Sequence, residues 1–588
     1  MESSQNTLSY DALSREKEEF RLLNLKPSQD FAFMPECSIF TSTIRNPPRY
    51  EALSYVWGDP KVTNAIIVNG ETFQVTLNLK KTLRYLRDLL EVRVLWVDAI
   101  CINQRDPIER GHQVTFMKDT YSRCWTYLLW LGQGNVVMDL GMRMVDRLLS
   151  KHRAAEEQYE PEDNHTMVQR LNEDIKKVAE ELMEPARMAD DHHFYCLKAV
   201  FLFADLWERV WIMQEIAYAP NPVLIVGHYT LPWNSLEKLF FTADKFPGAF
   251  DETLTNSYDV SIPSCEVVFS VVQAIQHQRL ITRSIKTGKD SDLLDVLARF
   301  QKTYSTDPKD KLFALLALTS NPLELKPDYL AAKMTVFTKF AAAHINHVQN
   351  LDILCQSRWR HYFLEEDITY AVPSWVPDLE QRWPVPLIFS QRGIFKAGGL
   401  ECNVPCNVTD KDRLIVEGVN LGEVNRSYTM HGWELTADWI PDELKVSETL
   451  MYTPSILSRA ENGFQAFWRT LLSDCVRYPT RRLNEDEYAS YGSAFDSWKR
   501  GDITADELPY FDLKGELEQR DFLITENGLY CLAPSHVRKS DFVVVLKGAK
   551  IPVVLRKITE KSKDKSEYIF AWPSICPWIN GWGSDDFG

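Results

Sequence analysis

The 588-residue chain has 11 cysteines, yet no two stand in C-x-x-C spacing. That excludes the common zinc and dithiol motifs. The opening residues, "MESSQNTLSYDALSREKEEF", hold no apolar core segment, so no secretory signal is expected. No run approaches the roughly 18 apolar residues a membrane helix needs, so no membrane span is expected. Reduced thiols and a cytoplasmic location follow as the expectation. Basic charge is in deficit: 66 Lys and Arg stand against 82 Asp and Glu, for a net charge of −16. Nucleic-acid binding draws most of its affinity from phosphate neutralisation. The densest basic clusters, "YPTRRLN" and "KITEKSKDKSEY", are short, and acids interrupt the second. They read as solvated loops, and no nucleic-acid partner is expected.

Familiar catalytic signatures are also missing. There is no G-x-x-x-x-G-K-[ST] phosphate loop and no G-x-S-x-G elbow. "LWLGQGNVVMDL" offers Gly132 and Gly134, but Val137 stands where a dinucleotide fingerprint needs its third glycine. It reads as a strand-to-helix turn. "DDHHFYC" gathers Asp191, His192, His193 and Cys196. Adjacent histidines on a helix diverge by about 100° and share an ion poorly, so no metal is expected.

What is present is an ordinary soluble mixture, 45% hydrophobic and 25% charged. The length suggests about three or four domains. "YEALSYVW" reads as a strand stopped by Gly58-Asp59-Pro60. "AIIVNGETFQVT" places Asn69-Gly70 between two β-rich runs, a strong hairpin signal. "NLKKTLRYLRDLL" sets Leu79, Leu83, Leu86 and Leu90 on one helical face. "VLWVDAICI" and "WTYLLWLG" are short apolar runs, as strands buried on both faces require. Between them Asp106, Pro107 and Glu109 spell a capping box ahead of a helix. This alternation predicts an α/β sheet with parallel central strands.

The expected organisation has four parts: an entry segment over 1–47, an α/β domain over 48–240, a mainly helical region over 241–385 and a β-rich domain over 386–588. A charged helical insert is expected near 150–190, and a further helical insert, "ENGFQAFWRTLLSDCV", inside the last part. A turn is expected at Asn527-Gly528. The 17 tryptophans are mostly core candidates, although Trp57, Trp96, Trp125, Trp130, Trp207 and Trp211 could line a pocket for a flat ligand.

Four segments in order, "YEALSYVWGDP", "LWVDAICINQRDPIERGHQVTFM", "YSRCWTYLLWLG" and "RVWIMQEI", resemble the successive motifs of the fungal heterokaryon-incompatibility (HET) domain. The resemblance covers about residues 48–230. Downstream, "STDPKDKLFALLAL", "KPDYL", "VPSWVPDL", "AFWRTLLSD" and "FLITENGLYCLAP" resemble the tail that commonly follows this domain. The resemblance implies a protein of non-self recognition that triggers cell death when incompatible hyphae fuse. It implies an incompatibility partner protein and self-assembly through the HET domain. It also implies a distant likeness to Toll/interleukin-1 receptor (TIR) domains, a flavodoxin-like sheet, some of which hydrolyse NAD⁺ with a helical glutamate.

Trp211 to Ile216 fall in the register of a TIR helix motif, W-C-L-x-E-L. Ser54, Tyr55 and Asp59 keep the spacing of its first-strand motif. The resemblance thus makes Glu215 a candidate catalytic carboxylate. Ser54, Tyr55, Trp57, Asp98, Arg110 and Trp211 become candidate substrate-binding residues. NAD⁺ would be the substrate, and no cofactor is called for.

Physically, Trp211 and Glu215 are spaced i, i+4 and share a helical face beside Ile212 and Ile216. A carboxylate at a cleft rim could stabilise the oxocarbenium character of a breaking nicotinamide–ribose bond. Glu215 could equally be a salt-bridged carboxylate, with Arg209 as partner. Asp98 sits in an apolar run and needs a partner if buried; Arg110 is one candidate, and a purely structural ion pair is the alternative. The non-enzymatic alternative is a signalling scaffold that acts by oligomerisation and partner binding. The β-rich region is expected to restrain the α/β domain, so that a fragment ending near 240 would be at least as toxic as the whole chain.

Overall fold

A computed structural model describes residues 8–156, 193–201, 204–237, 265–285, 291–320, 323–356, 373–380, 394–395, 397–398, 407–408, 413–430, 463–476, 481–504, 507–508, 520–534, 537–562 and 565–573. The chain divides into two compact units, Met1–Leu330 and Ala331–Gly588.

The first unit is built on a nine-stranded sheet. Its strands are β1 (Glu19–Leu25), β2 (Glu36–Thr43), β3 (Glu51–Tyr55), β4 (Thr63–Val68), β5 (Glu71–Thr76), β6 (Arg93–Trp96), β7 (Thr126–Gly132), β8 (Pro222–Val226) and β9 (Tyr229–Pro232). They lie in the order β5-β4-β2-β1-β6-β3-β7-β8-β9. β3 pairs in parallel with β6 and with β7, and β7 pairs in parallel with β8. The three segments expected as neighbouring strands, around Leu53, Leu95 and Leu129, are therefore adjacent. Taken alone in chain order, these four strands run 2-1-3-4 across the sheet, and β2 and β4 form a separate parallel pair. β3 is buried along almost its whole length, which explains its uninterrupted apolar sequence.

The hairpin of β4 and β5 turns at Asn69 and Gly70, with φ of 53° and 83°. Both values are left-handed, as a two-residue hairpin turn of this type demands. The Asn69 side chain also accepts from the Ile39 amide and fastens the turn to β2. β1 and β2, which the sequence reading left in the entry segment, are integral to the sheet. β1 is antiparallel to both β2 and β6, and all of its residues except Glu19 and Asn24 are buried.

Helices α1 (Leu77–Leu86), α2 (Asp98–Cys101), α3 (Pro107–Thr115), α4 (Met117–Arg123), α5 (Val136–Glu156), α6 (His193–Phe201) and α7 (Val210–Tyr218) accompany these strands. Leu79, Leu83 and Leu86 of α1 are buried as their spacing predicts. The run through "VLWVDAICI" does not stay extended: β6 ends at Trp96, and Asp98 opens the single turn α2. Asp106 caps α3 by accepting from the Ile108 and Glu109 amides, but the box does not close. Glu109 is drawn away by buried Arg21, which donates to both of its oxygens. The charged insert near 150–190 lies largely outside the described residues, as do Asp191 and His192. Helices α8 (Cys265–Ile285), α9 (Leu293–Arg299) and α10 (Asp310–Leu316) complete the unit, and α8 and α10 both pack against α7.

The second unit opens with a helix at Lys333–Val348. Its main sheet has six antiparallel strands, centred on the 13-residue strand Gly418–Met430. The helical insert appears as Gly463–Leu471, and the expected turn falls at Gly528, φ 79°, in the hairpin from Arg520–Thr525 to Tyr530–Pro534. Among the described residues, no helix is long and apolar enough to cross a membrane.

Candidate functional site

β3 and β7 are in register, with Ala52 opposite Tyr127. Ser54, two residues on, faces the same side of the sheet as Tyr127. Helix α7 lies across this side and brings Glu215 down onto it. The Tyr127 hydroxyl donates to Glu215 Oε2 at 2.8 Å. The Ser54 hydroxyl stands beside the same carboxylate and favours its ionised form. It closes no hydrogen bond within the described residues.

Glu215 is only 3% exposed. The cleft-rim placement expected from its spacing is therefore overturned. α7 is covered by the sheet on one side and by α8 and α10 on the other, so Ile212, Met213, Gln214, Glu215 and Ile216 are all buried. Gln214, with its amide oriented to satisfy both groups, donates to the Ala314 carbonyl at 3.0 Å and accepts from the Lys118 amide at 3.3 Å. It thereby ties α7 to α10 and to the first turn of α4. Arg279, from α8, donates to the carbonyls of Ile216 and, at 3.0 Å, Ala219. A guanidinium there satisfies the last carbonyls of α7 and opposes its dipole.

The residue that organises the cluster is Arg209, immediately before α7. It donates to the Tyr55 carbonyl oxygen at the end of β3. Its charge acts on both Glu215 and Asp98. Burial opposes the charged guanidinium, but Glu215 and then Asp98 outweigh that and raise its pKa. Burial is also the main force on Glu215 and lifts its pKa, against the pull of Arg209, Ser54 and Tyr127. Asp98 behaves alike: burial raises its pKa, and Arg209, the Trp57 indole and the Ala99 amide oppose the rise. Two carboxylates thus share one cation, so the second negative charge is under-compensated.

Asp98 sits at the carboxyl end of β6 and is walled in on most sides, yet keeps a partial opening to solvent. The indole of Trp57, itself 37% exposed, donates to Asp98 Oδ2 at 3.0 Å. Tyr55 is buried, and burial raises its phenol well above the ordinary range. Trp96, Trp130 and Trp207 are core residues, whereas Trp125 is mostly exposed and stacks under Arg49.

Two sequence candidates fall elsewhere. Arg110 is not the partner of Asp98; its guanidinium lies 5.3 Å from the centre of the Tyr329 ring. Trp211, four residues before Glu215, serves a different carboxylate: its indole holds down the pKa of Asp310 of α10 against the rise that burial causes. Neighbouring positions on one helix face thus serve different clusters. Sequence reasoning named Arg209 only as a partner for Glu215 and missed Tyr127 altogether. A tyrosine inside the apolar run "TYLLWLG" needs a partner for its hydroxyl when buried, and that signal was available.

This is an α/β unit whose central strands and α7 enclose a charge cluster. Residues 50–215 match the family model described as Heterokaryon incompatibility protein (HET), so the first unit carries a HET domain. The match begins at β3 and ends at Glu215. Heterokaryon incompatibility protein 6, OR allele, of Neurospora crassa is 26% identical to this chain, over 98% of it and 96% of that protein. No solved structure matches the fold.

Proposed function

We propose that this chain acts in heterokaryon incompatibility, with its HET domain signalling cell death through protein contacts instead of breaking bonds at Glu215. The observation that carries the incompatibility reading is the end-to-end likeness to the Neurospora protein, which includes both units. The parallel strands in 2-1-3-4 order agree, as far as four strands go, with the flavodoxin-type arrangement to which TIR domains are related. That supports a distant TIR-like ancestry for the first unit.

The non-enzymatic route is favoured by the surroundings of Glu215. A glutamate that stabilises an oxocarbenium ion must reach the sugar. Here its carboxylate accepts from Tyr127, lies in the field of Arg209 and is buried. Self-assembly through the HET domain and an incompatibility partner protein remain part of the proposal.

The test is expression of the full chain in a filamentous fungus. Heterokaryons between transformed and untransformed strains of one genotype should die or grow poorly. Normal heterokaryons across a range of expression would contradict the reading.

A further inference from the structure

Beyond the matched region, residues 301–320 and 323–330 cross back to α7 and to α3. Three contacts bind this stretch near both ends of α7. The Val210 amide donates to the Tyr304 carbonyl at 2.9 Å. The Trp211 indole acts on the Asp310 carboxylate and opposes the rise in its pKa that burial causes. Tyr218 donates from its hydroxyl to the Ala317 carbonyl. The outer closure is polar. Tyr329 donates to Asp310 Oδ1 at 2.6 Å, and Lys309 donates to the Tyr329 carbonyl at 2.8 Å. The Tyr329 ring rests edge-on against Phe313 and under Arg110.

The backbone leading into this closure is strained. Leu323 and Glu324 are consecutive non-glycine residues at φ of 57° and 53°. Left-handed backbone is costly without glycine and persists where the surroundings enforce it. Past Tyr329 the chain returns to solvent, with Leu330 93% exposed. A strained lead-in, a closure centred on the Tyr329–Asp310 bond and an exposed exit are the features of an element with two positions.

We infer that residues 323–330 form a latch, with Tyr329 as its bolt, that closes over Asp310 and Arg110 and restrains the HET domain. Opening the Tyr329–Asp310 bond uncovers Asp310 and the Arg110 guanidinium together and relieves the strain at Leu323 and Glu324. The restraint rests on the incompatibility reading above; the latch itself does not.

Hydrogen exchange on the full chain tests it. Tyr329→Phe keeps the ring but removes the bond to Asp310. Exchange in peptides covering 323–330 and the first turn of α7 should quicken about tenfold, the scale of one lost hydrogen bond to a carboxylate. Killing should then begin at lower expression. Glu324→Gly keeps the closed backbone without its strain and should do the reverse, slowing exchange and raising the expression needed to kill. Unchanged exchange in both variants would overturn the latch. Faster exchange with weaker killing in Tyr329→Phe would overturn the restraint. Exchange that responds as expected in a protein that never kills would uphold the latch and remove the incompatibility reading.

Discussion

Tyr127 and Glu215 meet inside the first unit, hydroxyl to carboxylate at 2.8 Å, from a central strand and the helix that crosses it. The contact joins the sheet to α7 beneath a layer of later helices, and Arg209 extends it to Asp98. A carboxylate in that position belongs to the energetics of folding. Glu215→Gln preserves an acceptor for Tyr127 but buries an amide N–H₂ group against the Arg209 guanidinium. It should cost about 1–3 kcal/mol of stability, as expected when a buried donor is left without a partner. A lowered thermal midpoint would show this. A midpoint equal to wild type would show that Glu215 is dispensable for folding.

Arg209→Met should cost more. It leaves two carboxylates sharing a buried region without their cation, and removal of one partner from such a group costs about 3–5 kcal/mol. The loss should shrink below neutral pH, where the carboxylates can take up protons instead. Denaturant unfolding at two pH values would check both statements. A loss equal at both pH values would separate Arg209 from the carboxylates.

Asp98 and Glu215 have pKa values raised in the folded protein, chiefly by burial. Their folded form therefore binds protons more tightly than the unfolded chain. The stability they contribute is fully present below ordinary carboxylate pKa values and is lost as pH rises through their elevated ones. Other carboxylates titrate across the same range, so the effect is read as a difference. Relative to wild type, Glu215→Gln should gain ground as pH climbs from about 4.5 towards neutral, because it lacks one group that must lose its proton. A stability difference independent of pH would contradict this.

A fragment ending near residue 240 should fail to fold. It lacks α8 and α10, which cover α7, and Arg279, which satisfies the end of that helix. The sequence alone suggested that such a fragment would be at least as toxic as the whole chain. The structure instead places the boundary of the compact unit at Leu330. Residues 1–330 should show a cooperative melt, whereas 1–240 should be insoluble or melt without cooperativity. A cooperative, soluble 1–240 fragment would refute the assignment of α8 and α10 to the core.

Much of the sheet could be read from local pattern. Strands buried on both faces appear as unbroken apolar runs, and Asn69-Gly70 can hardly sit anywhere but a tight hairpin. The place of β1 could not be read, because its pairing of Leu23 with Leu95 spans 72 residues and leaves no local trace. The burial of Glu215 escaped for a related reason. Periodicity shows which residues share a helix face, not how many faces are covered. α7 is closed in by α8 and α10, which come about 50 to 100 residues later. Arg110 was an attractive partner for Asp98 in sequence, yet α3 carries it towards Tyr329.

NAD⁺ consumption by the purified full chain, measured beside its thermal midpoint for wild type and Glu215→Gln, tests the central claim most directly. The account predicts no turnover above background in the wild type and a lowered midpoint in the variant. Turnover by the wild type that Glu215→Gln abolishes, with the midpoint unchanged, would contradict it and make Glu215 a catalytic residue.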